Sequence, residues 1–201
     1  MKKIVLFIWM LLTPLAAMAQ LKVLALAGST RADSYNKKLI RAAAKLAQEM
    51  GAQVTIIDLR DYLMPFYDAD LEKEGMPKNA KRFRDMIMSS DGIIISSPQY
   101  NASIPAVLKN ALDWASRDEN GQESDSAFAG KKFVVMSASP GKKGGAKGLV
   151  HLRAVIKDCG GEVLEKQVSI PCADQAFDET GSLKESSLKQ QLEQAVNQLI
   201  K

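Results

Sequence analysis

Histidine and cysteine are nearly missing from this chain, with one histidine and two cysteines in 201 residues. A lone imidazole, His151, cannot build a histidine-rich metal site. Cys159 and Cys172 have neither metal-ligand spacing nor a CxxC arrangement, which excludes a zinc ribbon and a dithiol redox centre. In an oxidising compartment the two could pair; two free buried thiols is the plainer reading. Basic runs never exceed two residues, and 27 Lys and Arg stand against 23 Asp and Glu. That small excess argues against nucleic acid as the main partner. The chain has no internal repeat or low-complexity tract, so a solenoid is excluded, and no apolar run is long enough to span a bilayer.

What is present suits one globular domain: 46% of residues are hydrophobic and 25% charged. Residues 1–19 stand apart. Lys2 and Lys3 precede the apolar run IVLFIWMLL, Thr13-Pro14 interrupts it, and LAAMA leads to Gln20. This is the three-part pattern of a secretory signal cut before Gln20, which leaves residues 20–201 as the mature domain. The expected compartment is then periplasmic or extracellular. Two other readings are a membrane-anchoring helix and a cytoplasmic protein whose translation starts at Met18. Without Lys2 and Lys3, 25 positive charges face 23 negative ones, a net +2. No twin arginine occurs, so export would thread an unfolded chain and any cofactor would bind afterwards.

From Leu21 onward, strand and helix signals alternate. LKVLALA, Leu21 to Ala27, is a continuous apolar run fit for a strand buried on both faces. SYNKKLIRAAAKLAQEM follows at helical spacing and stops at Gly51. QVTIID is a second strand, a long loop leads to a helix over NAKRFRDMIMSS, and GIIIS is a third strand. Pro105 opens the helix AVLKNALDWAS. KKFVVMSA, GLVHLRAVIKDC, EVLEKQVSI and ESSLKQQLEQAVNQLI complete the series as strand, helix, strand and helix. Five such units predict an α/β fold with a parallel sheet covered by helices on both faces. Ligands of such sheets sit beyond the carboxyl ends of the strands, at the switch in strand order.

The loops at that rim carry the unusual residues. GSTRADSYN, Gly28 to Asn36, ends at a helix start, where freed amides and the dipole favour an anion. Ser29, Thr30 and Ser34 offer hydroxyls, Asn36 an amide and Arg31 a charge, a set suited to a phosphate monoester. The same residues also fit an ordinary turn with Asp33 or Ser34 as helix cap. The stretch is neither a Walker loop nor a three-glycine dinucleotide turn. SSPQYNASIP, Ser96 to Pro105, is longer than a plain connection, and its two prolines stiffen a backbone carrying Gln99, Tyr100 and Asn101. SASPGKKGGAKG, Ser137 to Gly148, has glycines that allow a ligand close to the backbone, or simply make a mobile loop. Trp114 and Leu112 read as core. Lys109 reads as a solvated or phosphate-steering residue, not a base.

In this order and spacing, GSTRxxSxN, SPxYNxSxPxxLKNAxDW and SxSPGxxGG resemble the NAD(P)H-dependent FMN reductases, a family that includes chromate, quinone and azo-dye reductases. The likeness spans essentially residues 21–201. It implies a flavodoxin-like, doubly wound, five-stranded parallel sheet of order 2-1-3-4-5. It further implies that Ser29, Arg31, Ser34 and Asn36 hold the phosphate of FMN. Pro98, Gln99, Tyr100 and Asn101 would line the ribityl chain and ring, and Ser137, Ser139 and Gly141 would close the pyrimidine side. Two positions depart from the family pattern: Gln99 stands where glutamate is usual, and Ala106 replaces a common glycine. The resemblance implies NADPH or NADH as co-substrate, a small-molecule electron acceptor, and a homodimer or homotetramer. It requires no catalytic protein acid or base and no metal, because the flavin carries the chemistry, and it implies ping-pong kinetics. The rival from another class is a non-enzymatic FMN-binding electron carrier of flavodoxin type, although such carriers tend to be acidic and this chain is basic. A third is a flavin-free interaction module of the same fold.

Overall fold

A computed structural model describes residues 20–201. The leader read over residues 1–19 lies outside the described residues. The elements run β1 (Lys22–Ala27), α1 (Tyr35–Glu49), β2 (Gln53–Asp58), a 3-10 turn (Leu59–Tyr62), α2 (Ala69–Glu72), α3 (Lys78–Met88) and β3 (Gly92–Ser96). They continue with α4 (Ala106–Ala115), β4 (Lys132–Ala138), α5 (Ala146–Asp158), β5 (Glu162–Val163), β6 (Val168–Ile170), α6 (Ala173–Ala176) and α7 (Ser186–Ile200). The strands pair in parallel in the order β2-β1-β3-β4-β5, with β6 also on β4.

The period-two alternation of the central strands divides the core into two layers. Val23, Ala25, Ile94, Val134 and Met136 face α1 and α7. Leu24, Leu26, Ile93, Ile95, Phe133 and Val135 face α3, α4 and α5. The first layer is rich in alanine, with Ala43, Ala44 and Ala47 on α1 over Ala25 and Ala27, so this helix lies close to the sheet. Larger groups fill the second layer, and each fully buried ring such as Phe83 contributes about 2–3 kcal/mol by leaving water. Trp114 is also fully buried, as its position on α4 predicted. Its Nε1 donates to Pro65 O at 2.9 Å. Asn110 Nδ2 donates to the same carbonyl, and the Arg117–Glu72 pair at 2.7 Å clamps the far end of the long loop. That loop is therefore ordered by α4, and it contains two helical turns, Leu59–Tyr62 and Ala69–Glu72, absent from the sequence reading.

Two expectations need correction. EVLEKQVSI is not one strand but two short ones. Phe133 pairs with Val163 and Met136 with Val168, so the two residues between on β4 face four on the partner. This outermost strand has no further neighbour to hold its register, and the excess is taken up as a bulge over Leu164 to Gln167. Leu164 turns inward and its carbonyl accepts from Arg153 Nη1 at 2.8 Å. The cysteines are both free, but neither is fully buried: Cys159 is half-buried and Cys172 exposed.

Candidate functional site

At the carboxyl ends of β1, β3 and β4 the three loops meet around one open cleft of about 150 Å³. It is lined by Ser29, Arg31, Ser34, Asn36, Pro98, Gln99, Tyr100 and Ser139 from the sequence reading. Tyr35, Ala138 and Pro140 line it as well and were not foreseen. Tyr35 had a legible signal, since the first residue of a helix at the switch point faces the same way as its cap. A larger hollow runs along the second half of α1 beside α7. Its charged groups, such as Lys45 and Glu49, pair with each other instead of converging on a centre.

The first wall is the start of α1, where the helix dipole and free amides favour an anion. Ser34 occupies the cap position of α1, yet its hydroxyl makes no capping bond, and no acidic residue stands in the first turn. The N–H groups of Tyr35 and Asn36 therefore lack an intrahelical partner, and the positive end of the dipole is uncompensated. Ser29 and Ser34 are buried, at 3% and 5% exposure, with Arg31 exposed above them. Ser29 Oγ accepts from Arg31 N at 3.3 Å, which keeps the turn closed.

Asn36 plays a different part from the one expected of its amide. Nδ2 donates to Ala138 O at 2.9 Å, while Oδ1 accepts from Ser96 Oγ at 2.8 Å and Ala138 N at 3.0 Å. The side chain thus ties the start of α1 to the ends of β3 and β4. What it leaves for an anion is its backbone N–H.

The second wall, Pro98 to Ser103, is held by its own turn and by α5. Tyr100 and Ser103 exchange both backbone hydrogen bonds at 2.9 Å. Asn101 and Ala102 between them have φ of 49° and 68°. This is the geometry of a two-residue type I′ turn, which asparagine accepts and alanine resists. Asn101 sits exposed at its tip and does not line the cleft, whereas Tyr100 stands half-exposed at the rim. Gln99 Oε1 accepts the Gly148 N–H at 3.1 Å, and His151 Nδ1 meets Ser103 Oγ at 2.9 Å. A Cβ at Gly148 would come 3.2 Å from Ser103 O and 3.3 Å from Gln99 Cβ, so a side chain there would push the loop off the helix by a few tenths of an ångström.

The third wall is Ala138 to Pro140. Ser137 was expected on the pyrimidine side, but it is fully buried behind this wall, its Oγ without a partner. A side chain at Gly145 would collide with that oxygen, and Gly145 has φ of 85°. Strand alternation explains the error: Ser137 points into the layer under α5, and Ala138 points to the other side. Gly141 is exposed and one step beyond the lining, its N–H donating to Ser139 Oγ at 3.2 Å. Lys109 is exposed and paired with Asp113 at 2.5 Å, so it is no free base. Among the described residues, no helix is long and apolar enough to cross a membrane, and no cluster of His, Cys, Asp or Glu could hold a metal.

A parallel sheet of this order, with an anion cradle at its switch point and two flanking loops, defines a flavodoxin-like mononucleotide-binding protein. Residues 21–175 match the family model described as NADPH-dependent FMN reductase. The chain belongs to that family. An NAD(P)H-dependent FMN reductase of Pseudomonas aeruginosa is 33% identical over 180 residues, covering 89% of this chain and 93% of the relative. A quinone reductase of Escherichia coli is 36% identical over 151 residues, covering 73% of this chain and 75% of the relative. Among solved structures, the flavoenzyme NAD(P)H:(acceptor) oxidoreductase FerB from Paracoccus denitrificans superposes with a TM-score of 0.76. It is 28% identical, and the match covers 89% of this chain and 94% of that one. The chain is thus an oxidoreductase of the FMN reductase type.

Proposed function

We propose that the protein oxidises NAD(P)H and reduces small acceptors, quinones first among them, by ping-pong kinetics at this cleft. Bound FMN supplies the redox chemistry, taking a hydride from the nicotinamide and delivering electrons to the acceptor. The single observation that carries the reading is the empty-handed helix start of α1. A cap hydroxyl without a capping bond, two first-turn amides and Arg31 suit an anion such as a phosphate dianion. Ser29, Arg31 and Ser34 hold the phosphate, Asn36 positions the cradle, and Pro98 to Tyr100 with Ser139 flank the ring. The residues fit the group: the cleft walls are backbone, hydroxyl and amide, with no carboxylate against the phosphate. No protein acid or base is required, because the flavin carries the chemistry.

The test is purified protein with FMN, NADPH and 1,4-benzoquinone. Steady NADPH oxidation is the expected result, with parallel double-reciprocal lines. Flavin absorbance without turnover would instead establish a one-electron carrier. Arg31→Ala removes a charge-assisted bond and weakens FMN binding by about 1.5–3 kcal/mol, read by fluorescence titration.

We further propose export. Support comes from the charged, apolar and small-residue parts of residues 1–19 and from a family match that starts at residue 21. N-terminal sequencing of the native protein should begin at Gln20; Met18 or Ala19 would indicate a cytoplasmic start. A homodimer or homotetramer is proposed on the family resemblance, and sedimentation equilibrium measures it.

A further inference from the structure

We infer that Gln99 is a specificity-determining residue, presenting a neutral hydrogen-bond donor to the bound ring and to acceptors that carry an oxygen. This rests on the cleft being the FMN site. Its amide orientation follows from chemistry as well as distance. The Gly148 N–H can only donate, so the atom at 3.1 Å from it is the carbonyl oxygen Oε1. That N–H, which Gly145 O also accepts at 3.1 Å, belongs to the first turn of α5, where the dipole strengthens its pull on an oxygen. A Cβ added at Gly148 would lie 3.3 Å from Gln99 Cβ and one at Gly145 3.6 Å from it, so the two glycines leave room for the base of the side chain. With Oε1 pinned, Nε2 carries two donors and has no partner among the described residues, while Gln99 itself lines the cleft.

A glutamate of the same shape could keep the Gly148 contact with one oxygen. Its second oxygen would then place a negative charge where Gln99 has N–H groups. The glutamine therefore lets an anionic or carbonyl-bearing oxidant approach without charge repulsion, and it donates to that oxidant's oxygen.

The experiment compares wild type, Gln99→Glu and Gln99→Met by three readouts: FMN dissociation constant, midpoint potential of the bound flavin, and acceptor selectivity. Selectivity is the ratio of kcat/KM for ferricyanide to that for 1,4-benzoquinone. In Gln99→Glu the ratio falls about tenfold and the potential becomes more negative, because a fixed charge opposes added electrons. In Gln99→Met the ratio stays within about twofold, while benzoquinone KM rises because the donor is gone. Loss of FMN from Gln99→Glu alone also supports the proposal, since charge is what separates it from the neutral methionine. Equal loss from both variants would show a packing role and overturn it, as would Gln99→Glu matching wild type in all three readouts. Wild-type protein that binds no FMN would refute the functional reading itself, a separate outcome.

Discussion

At the scale of single residues, the cleft is held by positions that act against their own preference. Ala102 lies in the left-handed region, where a Cβ costs about 1–2 kcal/mol. The strain persists because the Tyr100–Ser103 bonds, the Gln99–Gly148 bond and the His151–Ser103 contact together over-determine the turn. Ala102→Gly should stabilise the protein by about 1 kcal/mol in urea unfolding, after the added freedom of the unfolded chain is set against the relieved strain. Equal or lower stability would mean that the turn is not under tension. Gly145 is the opposite case. Alanine there meets Ser137 Oγ and an unfavourable φ at once, and a loss of about 2–4 kcal/mol is expected, with weakened FMN binding. Both effects should appear in one thermal melt series with and without flavin.

Secondary-structure elements are joined at the site by two polar ties. Asn36 links α1 to β3 and β4 through three buried hydrogen bonds. Asn36→Ala leaves Ser96 Oγ and both backbone groups of Ala138 unpaired, and about 2–4 kcal/mol of stability should be lost. A smaller loss with selective failure to bind FMN would show that the side chain serves the ligand directly. The second tie joins β2 to α1 and to the following turn. Lys37 Nζ reaches Asp58 Oδ2 at 2.7 Å and Arg60 Nη2 reaches it at 2.8 Å. Partial burial opposes ionisation of Asp58. The bonds from Arg60 and Lys37 outweigh it and hold the pKa at about 2, below the usual 3.8. A carboxylate with a depressed folded-state pKa binds fewer protons folded than unfolded. Its stabilisation is therefore complete above about pH 4 and is lost as pH falls towards about 2. Stability measured across that interval should fall less steeply in Asp58→Asn than in wild type.

Taken as a whole, the molecule is a parallel sheet whose rim loops are fastened by hydrogen bonds to α1 and α5. Because the cleft draws on β1, β3, β4, α1 and α5 together, it does not exist in the unfolded chain. Free FMN at 100 times its dissociation constant should then raise unfolding stability by about 2.7 kcal/mol, and Arg31→Ala should shrink that gain at the same flavin concentration. The two thiols offer a second check on the packed state. Burial pushes the Cys159 thiol up to about 11, so it stays protonated and slow to react at pH 8, whereas Cys172 is exposed. Titration with a disulfide reagent should show one fast and one slow thiol, merging into two fast ones in denaturant. Fewer than two thiols in the denatured protein would reveal a disulfide.

The alternation of apolar strands and amphipathic helices was legible in the chain, because the buried strands are short runs of β-branched and aliphatic residues that end at glycine or serine. So were the loops that meet at the switch point, since parallel connectivity places every strand's carboxyl end on one rim. The side a residue takes within such a loop was not legible. Ser137 is buried by strand alternation, Asn36 is engaged by a carbonyl 102 positions away, and Gln99 is oriented by a helix that follows it by 49. Local spacing determines which backbone forms, whereas the direction of a polar side chain depends on partners that come near only after the sheet has closed.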